Sequence, residues 1–383
     1  MTRALLTAVL ALGLGACSWF DDSNTEPPAE LVDFPATAKV SELWSVDTGT
    51  GPGRQYIKLA PVLHNAVLYV ADTRGRVRAL AQDSGKELWR TDLDLEITSG
   101  TGLGEDLVLV GSRKGEVIAM DKAKGHIQWR AQVPSEVLAP PAAEAGVVVV
   151  QSVDGRLTGL AAADGKRLWN VDRSEPALSL RGTATPVIVT DVVLTGFASG
   201  KIAAIGLQNG RLLWETPVAQ AQGRSEIERL IDVDVPMLIL GRTLLTAAYQ
   251  GKIVAVDLEN GRLLWSRDIS TYSALDADRT NAYVSDVHGH VYALDLRTGA
   301  TLWKQDKLQA RRLSSPAVTA NAVAVGDFEG YIHWLARDDG RFLARERVAR
   351  AAVLTSPIAD GATIYVNAQN GDLTALRLDS PGP

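Results

Sequence analysis

GKIVAVDLENGRLLW, residues 251–265, is the stretch that decides the fold, and residues 289–303 repeat its form as GHVYALDLRTGATLW. Each copy opens with a glycine, carries a second glycine ten residues later and ends in a tryptophan fourteen residues after the first glycine. Six tryptophans share this spacing, namely Trp89, Trp129, Trp169, Trp214, Trp265 and Trp303. A period of about 40 residues with a glycine and aromatic signature is typical of repeat architectures.

Each repeat consists of short apolar segments separated by turn residues. The segments are four to seven residues long and rich in Val, Ile, Leu and Ala, which indicates β-strands rather than helices. Asp-Gly at 164–165 and Asn-Gly at 260–261 suit tight hairpins, because glycine adopts a positive φ without steric cost. Each repeat is therefore predicted to be a four-stranded antiparallel meander.

The number of repeats and their ends predict a closed ring. Eight leading glycines occur along the chain, at Gly75, Gly115, Gly155, Gly200, Gly251, Gly289, Gly330 and Gly371. The eighth repeat stops before its tryptophan strand, and residues 42–44 (ELW) supply such a strand at the other end of the chain. Closing the ring removes open sheet edges. We therefore expect an all-β fold: an eight-bladed β-propeller of four-stranded antiparallel blades, closed by an N-terminal strand.

The seventh repeat departs from the pattern. Ala344 stands where the tryptophan is expected, and Trp334 lies on the preceding segment of the same repeat. We expect Trp334 to fill the space from the neighbouring strand.

The N-terminus has the composition of an exported, anchored protein. Residues 1–16 carry one early arginine and then an apolar run too short to span a membrane, which indicates a signal peptide. Cys17 is the only cysteine, and residues 14–17 (LGAC) resemble the bacterial lipobox, in which the cysteine is lipidated. The alternative is an ordinary signal peptide with a chance cysteine. Residues 17–39 are expected to be the lipidated cysteine and a flexible tether, and residues 40–383 the propeller.

The net charge of the chain argues against one class of partner. The net charge is −6 and no polybasic stretch occurs, so nucleic acid is not an expected partner.

The residue after Cys17 is Ser18 rather than the aspartate that often retains lipoproteins in the inner membrane. We therefore expect a protein anchored to the outer membrane on its periplasmic side.

Two intervals between repeats are longer than the rest, and long connections in a compact repeat fold often carry function. Most leading glycines are 38 to 41 residues apart, whereas Gly155 to Gly200 is 45 and Gly200 to Gly251 is 51. The added residues fall in 175–186 and 219–236. Both segments connect consecutive blades, so we expect them on the same rim and close together.

These insertions contain the candidate partner-binding residues. Leu178, Leu180 and Arg181 combine apolar groups with a guanidinium, as buried interface centres often do. Asp232 and Asp234 alternate along an extended segment, so their carboxylates are expected to point to the same side. The residues alone leave an alternative open: Arg181 pairs with one of these aspartates to pin two loops, and the leucines are ordinary strand residues.

Specific motifs carry a resemblance to a known family. The AxDxxxG…W unit at residues 255–265 and 293–303 resembles the repeat of quinoprotein dehydrogenases. The lipobox, the closing strand, LSLRG at 178–182 and EIERLIDVD at 226–234 together resemble the BamB family, lipoproteins of the complex that inserts β-barrel proteins into the outer membrane. The repeat spans nearly all of the mature chain but is widely shared, whereas the two short segments are more specific.

The BamB resemblance implies a non-catalytic scaffold without a cofactor. It implies a surface that binds a periplasmic POTRA domain of the insertase BamA and is formed by Leu178, Leu180, Arg181, Asp232 and Asp234. Other members of the barrel assembly complex, and unfolded outer-membrane proteins paired at an exposed strand edge, are further implied partners.

Two other function classes remain open on the residues. A quinone-dependent dehydrogenase would use a calcium site, a catalytic aspartate and in many cases a disulfide, but this chain has one cysteine. Asp121, Asp257 and Asp295 recur from repeat to repeat, which favours turn capping over catalysis. His288 and His290 straddle a predicted turn without a third ligand nearby, so no metal site is expected. A propeller that binds a small ligand or a glycan in its channel is the third class.

Overall fold

The fold is a closed ring of β-sheets. The structure is a computed structural model that describes residues 26–53, 55, 57–173, 183–219 and 231–379. Within these ranges it contains 32 strands and no α-helix, and the strands form eight four-stranded sheets. The predicted all-β, eight-bladed propeller is confirmed. No helix in the described ranges is long and apolar enough to cross a membrane.

Seven blades are continuous in sequence, and the first strands of several neighbouring blades contact each other around the central channel. Blades one to four comprise β2 (Val62–His64), β3 (Val67–Ala71), β4 (Arg76–Ala81), β5 (Glu87–Asp92); β6 (Gly102–Gly104), β7 (Leu107–Gly111), β8 (Glu116–Asp121), β9 (Ile127–Gln132); β10 (Ala142–Glu144), β11 (Val147–Gln151), β12 (Leu157–Ala161), β13 (Arg167–Val171); and β14 (Val187–Val189), β15 (Val192–Gly196), β16 (Lys201–Gly206), β17 (Leu212–Pro217). Blades five to seven comprise β18 (Leu238–Leu240), β19 (Thr243–Ala247), β20 (Ile253–Asp257), β21 (Leu263–Arg267); β22 (Asp276–Ala277), β23 (Asn281–Ser285), β24 (Val291–Asp295), β25 (Thr301–Gln305); and β26 (Ala317–Val318), β27 (Val323–Gly326), β28 (Tyr331–Leu335), β29 (Phe342–Arg347).

Blade eight is shared between the two ends of the chain. It contains β30 (Ile358–Asp360), β31 (Thr363–Asn367) and β32 (Asp372–Asp379), and its outermost strand is β1 (Lys39–Asp47). β1 runs antiparallel to β32, with Lys39 opposite Asp379 and Asp47 opposite Asp372. The predicted N-terminal closing strand is therefore present.

The tryptophans of the repeat join each blade to the next. Each indole Nε1 donates a hydrogen bond to a carbonyl in the hairpin between the third and fourth strands of the following blade, over 2.7 to 3.2 Å. The donors and acceptors are Trp44 and Gln82, Trp89 and Lys122, Trp129 and Ala162, Trp169 and Leu207, Trp214 and Leu258, Trp265 and Leu296, and Trp303 and Arg337.

The second glycine of each repeat makes this contact possible. Gly165 has φ of +71°, and a Cβ at this position would lie 2.6 Å from Cε3 of Trp129. Only glycine meets both demands, because it adopts the left-handed conformation readily and leaves room for the ring. The fixed distance between glycine and tryptophan in the sequence thus encodes the contact between blades.

The exception in blade seven follows from ring closure. The fourth strand of blade eight comes from the N-terminus, so blade eight has no hairpin at the place where a blade-seven tryptophan would donate its hydrogen bond. Ala344 lies opposite Trp334 across β28 and β29. Trp334 is fully buried with Ala344 in the core between blades seven and eight, in agreement with the expected filling role.

Every outermost strand carries a β-bulge directly before the tryptophan position. In blade one, Ala79 pairs with Trp89 and Leu80 with Glu87, so Leu88 is an extra residue, and it is 53% exposed. The corresponding extra residues in the other blades are Leu43, Gln128, Leu168, Leu213, Leu264, Leu302 and Leu343. Bulges interrupt edge pairing, and they protect exposed edges from pairing with other chains.

Residues 26–38 precede β1 and lie against blade seven; we call them the N-terminal strap. The backbone N–H of Ala29 donates to the carbonyl of Gln309 over 2.9 Å. The N–H of Thr37 donates to the carbonyl of Leu343 over the same distance. This part of the expected flexible tether is therefore packed on the propeller.

Side chains explain why the strap packs. Phe34 stacks on Phe342 with ring centroids 5.1 Å apart. The guanidinium of Arg345 lies 5.0 Å from the centroid of the Phe34 ring, and its Nη1 donates to the carbonyl of Val32 over 3.1 Å. The expected tether, residues 17–39, has a proline-rich and acidic composition, but these side-chain contacts and the backbone hydrogen bonds of Ala29 and Thr37 dock residues 26–38 on the propeller.

A buried polar cluster lies beneath the strap. Asp327 is fully buried and accepts hydrogen bonds from Nε of Arg311 over 2.8 Å and from Nε2 of His333 over 2.9 Å. Arg311 also pairs with Glu329 and donates from Nη1 to the carbonyl of Ala29 on the strap over 3.0 Å. The strap is thus connected to charged groups inside blade seven.

Candidate docking face

One face of the ring carries all the connections between consecutive blades; we call it the interblade face. Each connection runs from the outermost strand of one blade to the innermost strand of the next. The two insertions fall in two such connections, β13 to β14 and β17 to β18. The expectation that both insertions emerge on the same rim is confirmed.

Arg173 lies just before the first insertion, and its side chain joins blades three and four. Its Nη1 lies 2.8 Å from a carboxylate oxygen of Glu215, and its guanidinium lies 5.4 Å from the centroid of the Phe197 ring. Lys201 contacts the same carboxylate over 2.6 Å. The hydrogen bond from Lys201 and the charge of Arg173 lower the pKa of Glu215 despite partial burial. The start of this insertion is therefore fixed to the turn between β15 and β16.

The second insertion ends against the same turn. A Cβ on Gly196 would lie 2.2 Å from the carbonyl oxygen of Val233, so only glycine allows this approach of the backbone. The N–H of Tyr249 donates to the carbonyl of Asp232 over 2.9 Å. Phe197, which holds Arg173, directly follows Gly196 in the chain. The described ends of the two insertions therefore converge at one turn.

Of the five predicted site residues, the structure describes only two. Leu178, Leu180 and Arg181 lie outside the described residues. Asp232 and Asp234 are only 2% and 7% exposed. Oδ2 of Asp234 lies 3.7 Å from Nζ of Lys58, which reaches over from the connection between β1 and β2. The two aspartates were expected on the partner-binding surface, but the packing of Val233 on Gly196 draws this segment into the protein.

Lys58 and Arg173 are features of this face that sequence reasoning missed. Nζ of Lys58 donates to the carbonyl of Tyr272 over 3.1 Å. It therefore links the connection between β1 and β2 to the connection between β21 and β22. Arg173 directly precedes the segment 174–186, yet nothing in the repeat marks it. Neither residue belongs to the periodic pattern, because each lies in a connection whose sequence varies from blade to blade.

The recurring aspartates have the structural role that their repetition predicts. Asp121 accepts a hydrogen bond from the N–H of Lys124 over 2.7 Å, and Asp295 accepts one from the N–H of Thr298 over 2.8 Å. Asp257 accepts one from the N–H of the residue two positions on, over 3.0 Å. Among the residues that the structure describes, no group of three or more His, Cys, Asp and Glu side chains is placed to hold a metal ion.

Fold and face together define a class: a β-propeller with a glycine and tryptophan repeat, closed by its N-terminal strand and bearing enlarged loops on one face. The sequence model of the family described as outer membrane protein assembly factor BamB matches residues 38–99, 73–305 and 287–380. The chain belongs to the BamB family.

Curated relatives support this membership over their full length. The outer membrane protein assembly factor BamB of Pseudomonas aeruginosa is 49% identical over 372 residues, covering 97% of this chain and 98% of the relative. The protein of the same name from Legionella pneumophila is 41% identical over 382 residues, covering 98% and 99%.

Solved structures agree with the fold. The crystal structure of BamB from Moraxella catarrhalis matches with a TM-score of 0.80 and 26% identity, covering 88% of this chain and all of that one. A quinohemoprotein alcohol dehydrogenase from Comamonas testosteroni matches with a TM-score of 0.68 but 14% identity, covering 90% and 77%. The second likeness shows a shared fold alone.

Proposed function

We propose that this protein is a non-catalytic scaffold of the machinery that assembles β-barrel proteins in the outer membrane, and that its interblade face docks on the periplasmic POTRA region of BamA. The observation that carries the proposal is the convergence of both insertions at the turn between β15 and β16, in a chain of the BamB family. Two enlarged loops that start and end beside one turn can present their side chains to the same partner.

The predicted residues take two different roles in this proposal. Leu178, Leu180 and Arg181 form the contact surface, since apolar groups and arginine contribute most where an interface is fully desolvated. Asp232 and Asp234 are buried, so they support that surface from below rather than touch the partner. The ion pair of Asp234 with Lys58 helps to hold the end of the second insertion in place.

The proposed location is the periplasmic side of the outer membrane. Residues 1–16 are the signal peptide, Cys17 carries the lipid, and the anchor connects to the propeller through the segment that ends in the strap. The sequence around Cys17 supports this, and the names of the relatives place the family in outer-membrane assembly. Other members of the complex and unfolded outer-membrane proteins are further partners in the proposal.

The comparisons favour the scaffold role over the alternative, a quinone-dependent dehydrogenase. The relatives of high identity are named as assembly factors, whereas the dehydrogenases share the fold at low identity. The absorption spectrum of the purified protein distinguishes the two. A bound quinone would produce a visible band, and a scaffold would absorb only in the aromatic region.

The docking proposal is tested by calorimetric titration of the mature protein in detergent micelles against the periplasmic region of BamA from the same organism. The wild type is expected to bind saturably. Arg181→Glu is expected to weaken binding by about 1–4 kcal/mol if Arg181 is a central contact. Asp234→Asn is expected to weaken it less, because it acts through the placement of the loop.

Two matched variants serve as controls for this titration. Arg167→Glu changes an exposed arginine at the start of β13, away from the interblade face, and Asp191→Asn changes an exposed aspartate in the turn before β15. Both should bind like the wild type. Binding of Arg181→Glu at wild-type affinity, in a folded protein, would remove Arg181 from the interface. A folded wild type that does not bind BamA would refute the docking proposal.

A further inference from the structure

A cavity lies where the central channel opens onto the interblade face; we call it the channel-mouth cavity. Its volume is about 460 Å³, within the range of about 300–1,000 Å³ that is usual for ligand pockets. Residues from most of the interblade connections and from two hairpin turns on the same face line it, among them Ile57, Tyr249, Tyr272, Arg312, Leu354 and Asn367. It is therefore on the axis of the ring rather than within a single blade.

The walls of the cavity are largely apolar. Ile57 is buried, and Tyr249, Tyr272 and Leu354 are half-buried around it. Pro236 adds another rigid apolar surface. An apolar wall with a few polar groups favours a ligand that contributes an aliphatic or aromatic group.

Asn367 lines this cavity and carries an acceptor without a partner in the described ranges. The residue is 7% exposed, and its Nδ2 donates to the carbonyl of Leu59 over 3.0 Å. A carbonyl only accepts hydrogen bonds, so this contact fixes the orientation of the amide. Oδ1 is buried and has no hydrogen-bond partner among the residues that the structure describes. A ligand N–H or O–H group is what this atom requires.

Arg312 supplies a positive charge at the same site. It is exposed, and within the described part of the chain it has no ion-pair partner, whereas the preceding Arg311 is committed to Asp327 and Glu329. The backbone of Arg312 is left-handed, with φ of +51°. Such a conformation is unfavourable for a residue with a side chain, and it often occurs at functional sites.

The other cation at the rim is already balanced. Nζ of Lys58 lies 3.7 Å from the carboxylate of Asp234 and donates to the carbonyl of Tyr272. Arg312 is therefore the charge that a ligand would meet. A carboxylate matches the planar fork of its guanidinium with two parallel hydrogen bonds.

We propose that the channel-mouth cavity binds a peptide segment with an apolar side chain and a carboxylate, which pairs with Arg312 while a backbone N–H of the peptide donates to Asn367. A peptide suits the site because it places an amide N–H, an apolar side chain and a carboxylate within a few bonds of one another. The carboxylate belongs either to the C-terminus or to an acidic side chain. This site goes beyond the docking on BamA. Thr185 and Pro236, at the ends of the two insertions, are part of its wall, but Arg312 and Asn367, which would bind the peptide, lie outside the insertions.

The test is fluorescence anisotropy with the mature protein and labelled hexapeptides that end in Leu, Tyr or Val. Each peptide is made with a free C-terminus, with an amidated C-terminus, and with an amidated C-terminus plus a glutamate at the fourth position. We expect saturable binding of peptides that carry a carboxylate. Arg312→Gln should weaken this binding about tenfold or more, as the loss of one charge-assisted hydrogen bond implies.

Arg262→Gln is the matched control. Arg262 is exposed in the hairpin between β20 and β21, on the opposite face, and the variant should bind like the wild type. A dependence on the free terminus assigns the carboxylate to a chain end, and binding of the glutamate peptide assigns it to a side chain. Either result supports the proposal if Arg312→Gln weakens the binding of that peptide. The proposal would be overturned if no peptide binds, or if binding is independent of the carboxylate or of Arg312.

A second variant, at the wall of the cavity, tests the assignment of the binding site separately from Arg312. Leu354→Glu places a negative charge and a longer side chain at the wall of the cavity, and it should abolish peptide binding. Titration of BamA against the same variant separates the two functions. A folded Leu354→Glu protein that keeps full peptide affinity would contradict the assignment of the cavity.

Discussion

Arg345 donates a hydrogen bond from Nε to Nδ1 of His333 over 3.2 Å, and this contact defines the protonation of a fully buried histidine. With Nδ1 as acceptor, the imidazole is neutral and its proton lies on Nε2, which donates to Asp327. Arg345 also holds the carbonyl of Val32 on the strap. Protonation of Nδ1 would break the hydrogen bond from Arg345. Because Arg345 also holds the strap, the same protonation would affect both the strap and the buried cluster.

Acidification is expected to destabilise the protein below a pH of about 6.5. Burial lowers the pKa of His333 in spite of Asp327, so the unfolded chain binds a proton more readily near about 6.5. Stability is therefore present above that pH and decreases as the pH falls towards the lower folded pKa, by at most about 1.4 kcal/mol per pH unit. Urea unfolding at several pH values measures this slope.

Asp327 extends the effect to lower pH. Burial acts to raise its pKa, but the hydrogen bonds from His333, from the backbone N–H of Tyr331 and from Arg311 outweigh it and leave the pKa lowered. The stability that Asp327 contributes is present above the pKa of its carboxyl in the unfolded chain. It is lost as the pH falls through the lower pKa of this carboxyl in the folded protein. His333→Gln should flatten the slope around pH 6, whereas His126→Gln, at a side chain 72% exposed, should not. Equal slopes in the wild type and His333→Gln would contradict this assignment.

Docking of the strap is expected to depend on one aromatic pair. Phe34→Ala removes the stacking on Phe342 and the contact with Arg345, which should lower the local opening free energy by about 1–2 kcal/mol. Hydrogen exchange at the amide of Thr37 should become several-fold faster. Val32→Ala alters an exposed side chain and keeps the carbonyl that Arg345 holds, so its exchange should match the wild type. Unchanged exchange in Phe34→Ala would show that the backbone contacts suffice.

Two adjacent residues of the closing strand should differ greatly in their contribution to stability. Trp44→Ala removes the hydrogen bond to Gln82 and the ring that lies on Gly85, at a cost of about 3 kcal/mol. Leu43 is the bulge residue next to it and is exposed, so Leu43→Ala should change stability by no more than about 0.5 kcal/mol. Denaturant unfolding compares them. Equal losses in the two variants would mean that the indole does not join the blades.

Two glycines of blade three separate backbone strain from lack of space. Gly146 and Gly165 both have positive φ, +78° and +71°, but a Cβ on Gly146 would meet nothing within 4 Å. A Cβ on Gly165 would overlap the ring of Trp129. Gly165→Ala should therefore cost about 1–3 kcal/mol more than Gly146→Ala in thermal or urea unfolding. Similar losses would show that the left-handed backbone alone requires glycine.

The sequence predicts the ring because one local contact is repeated. The spacing between Gly165 and Trp169 and its equivalents reflects a hairpin and a strand that recur in each blade, and each tryptophan then finds the hairpin of the next. Blade number, the split blade and the shared rim of the insertions all follow from that period. The departure at Ala344 also becomes intelligible once the missing hairpin of blade eight is known.

Other features depend on contacts that have no period. Alternation in residues 232–234 suggests that two carboxylates share a side, but whether they face solvent or the core depends on the approach of Val233 to Gly196. The channel-mouth cavity is built from connections of many blades, so no short motif announces Arg312 or Asn367. The strap is equally hard to predict from the sequence. Its composition is typical of a tether, but the stacking of Phe34 on Phe342 helps to dock it.

The pairing of Lys39 with Asp379 makes the starting point of the ring arbitrary. Because β1 and β32 are neighbours, a circular permutant that joins the original ends and opens the chain at another exposed turn, such as the one at Gly146, would keep every strand pair. In such a permutant the lipidated end would leave from blade three instead of blade eight. With the proposed lipid anchor, the position of the split blade would therefore set the rotation of the proposed docking face relative to the membrane.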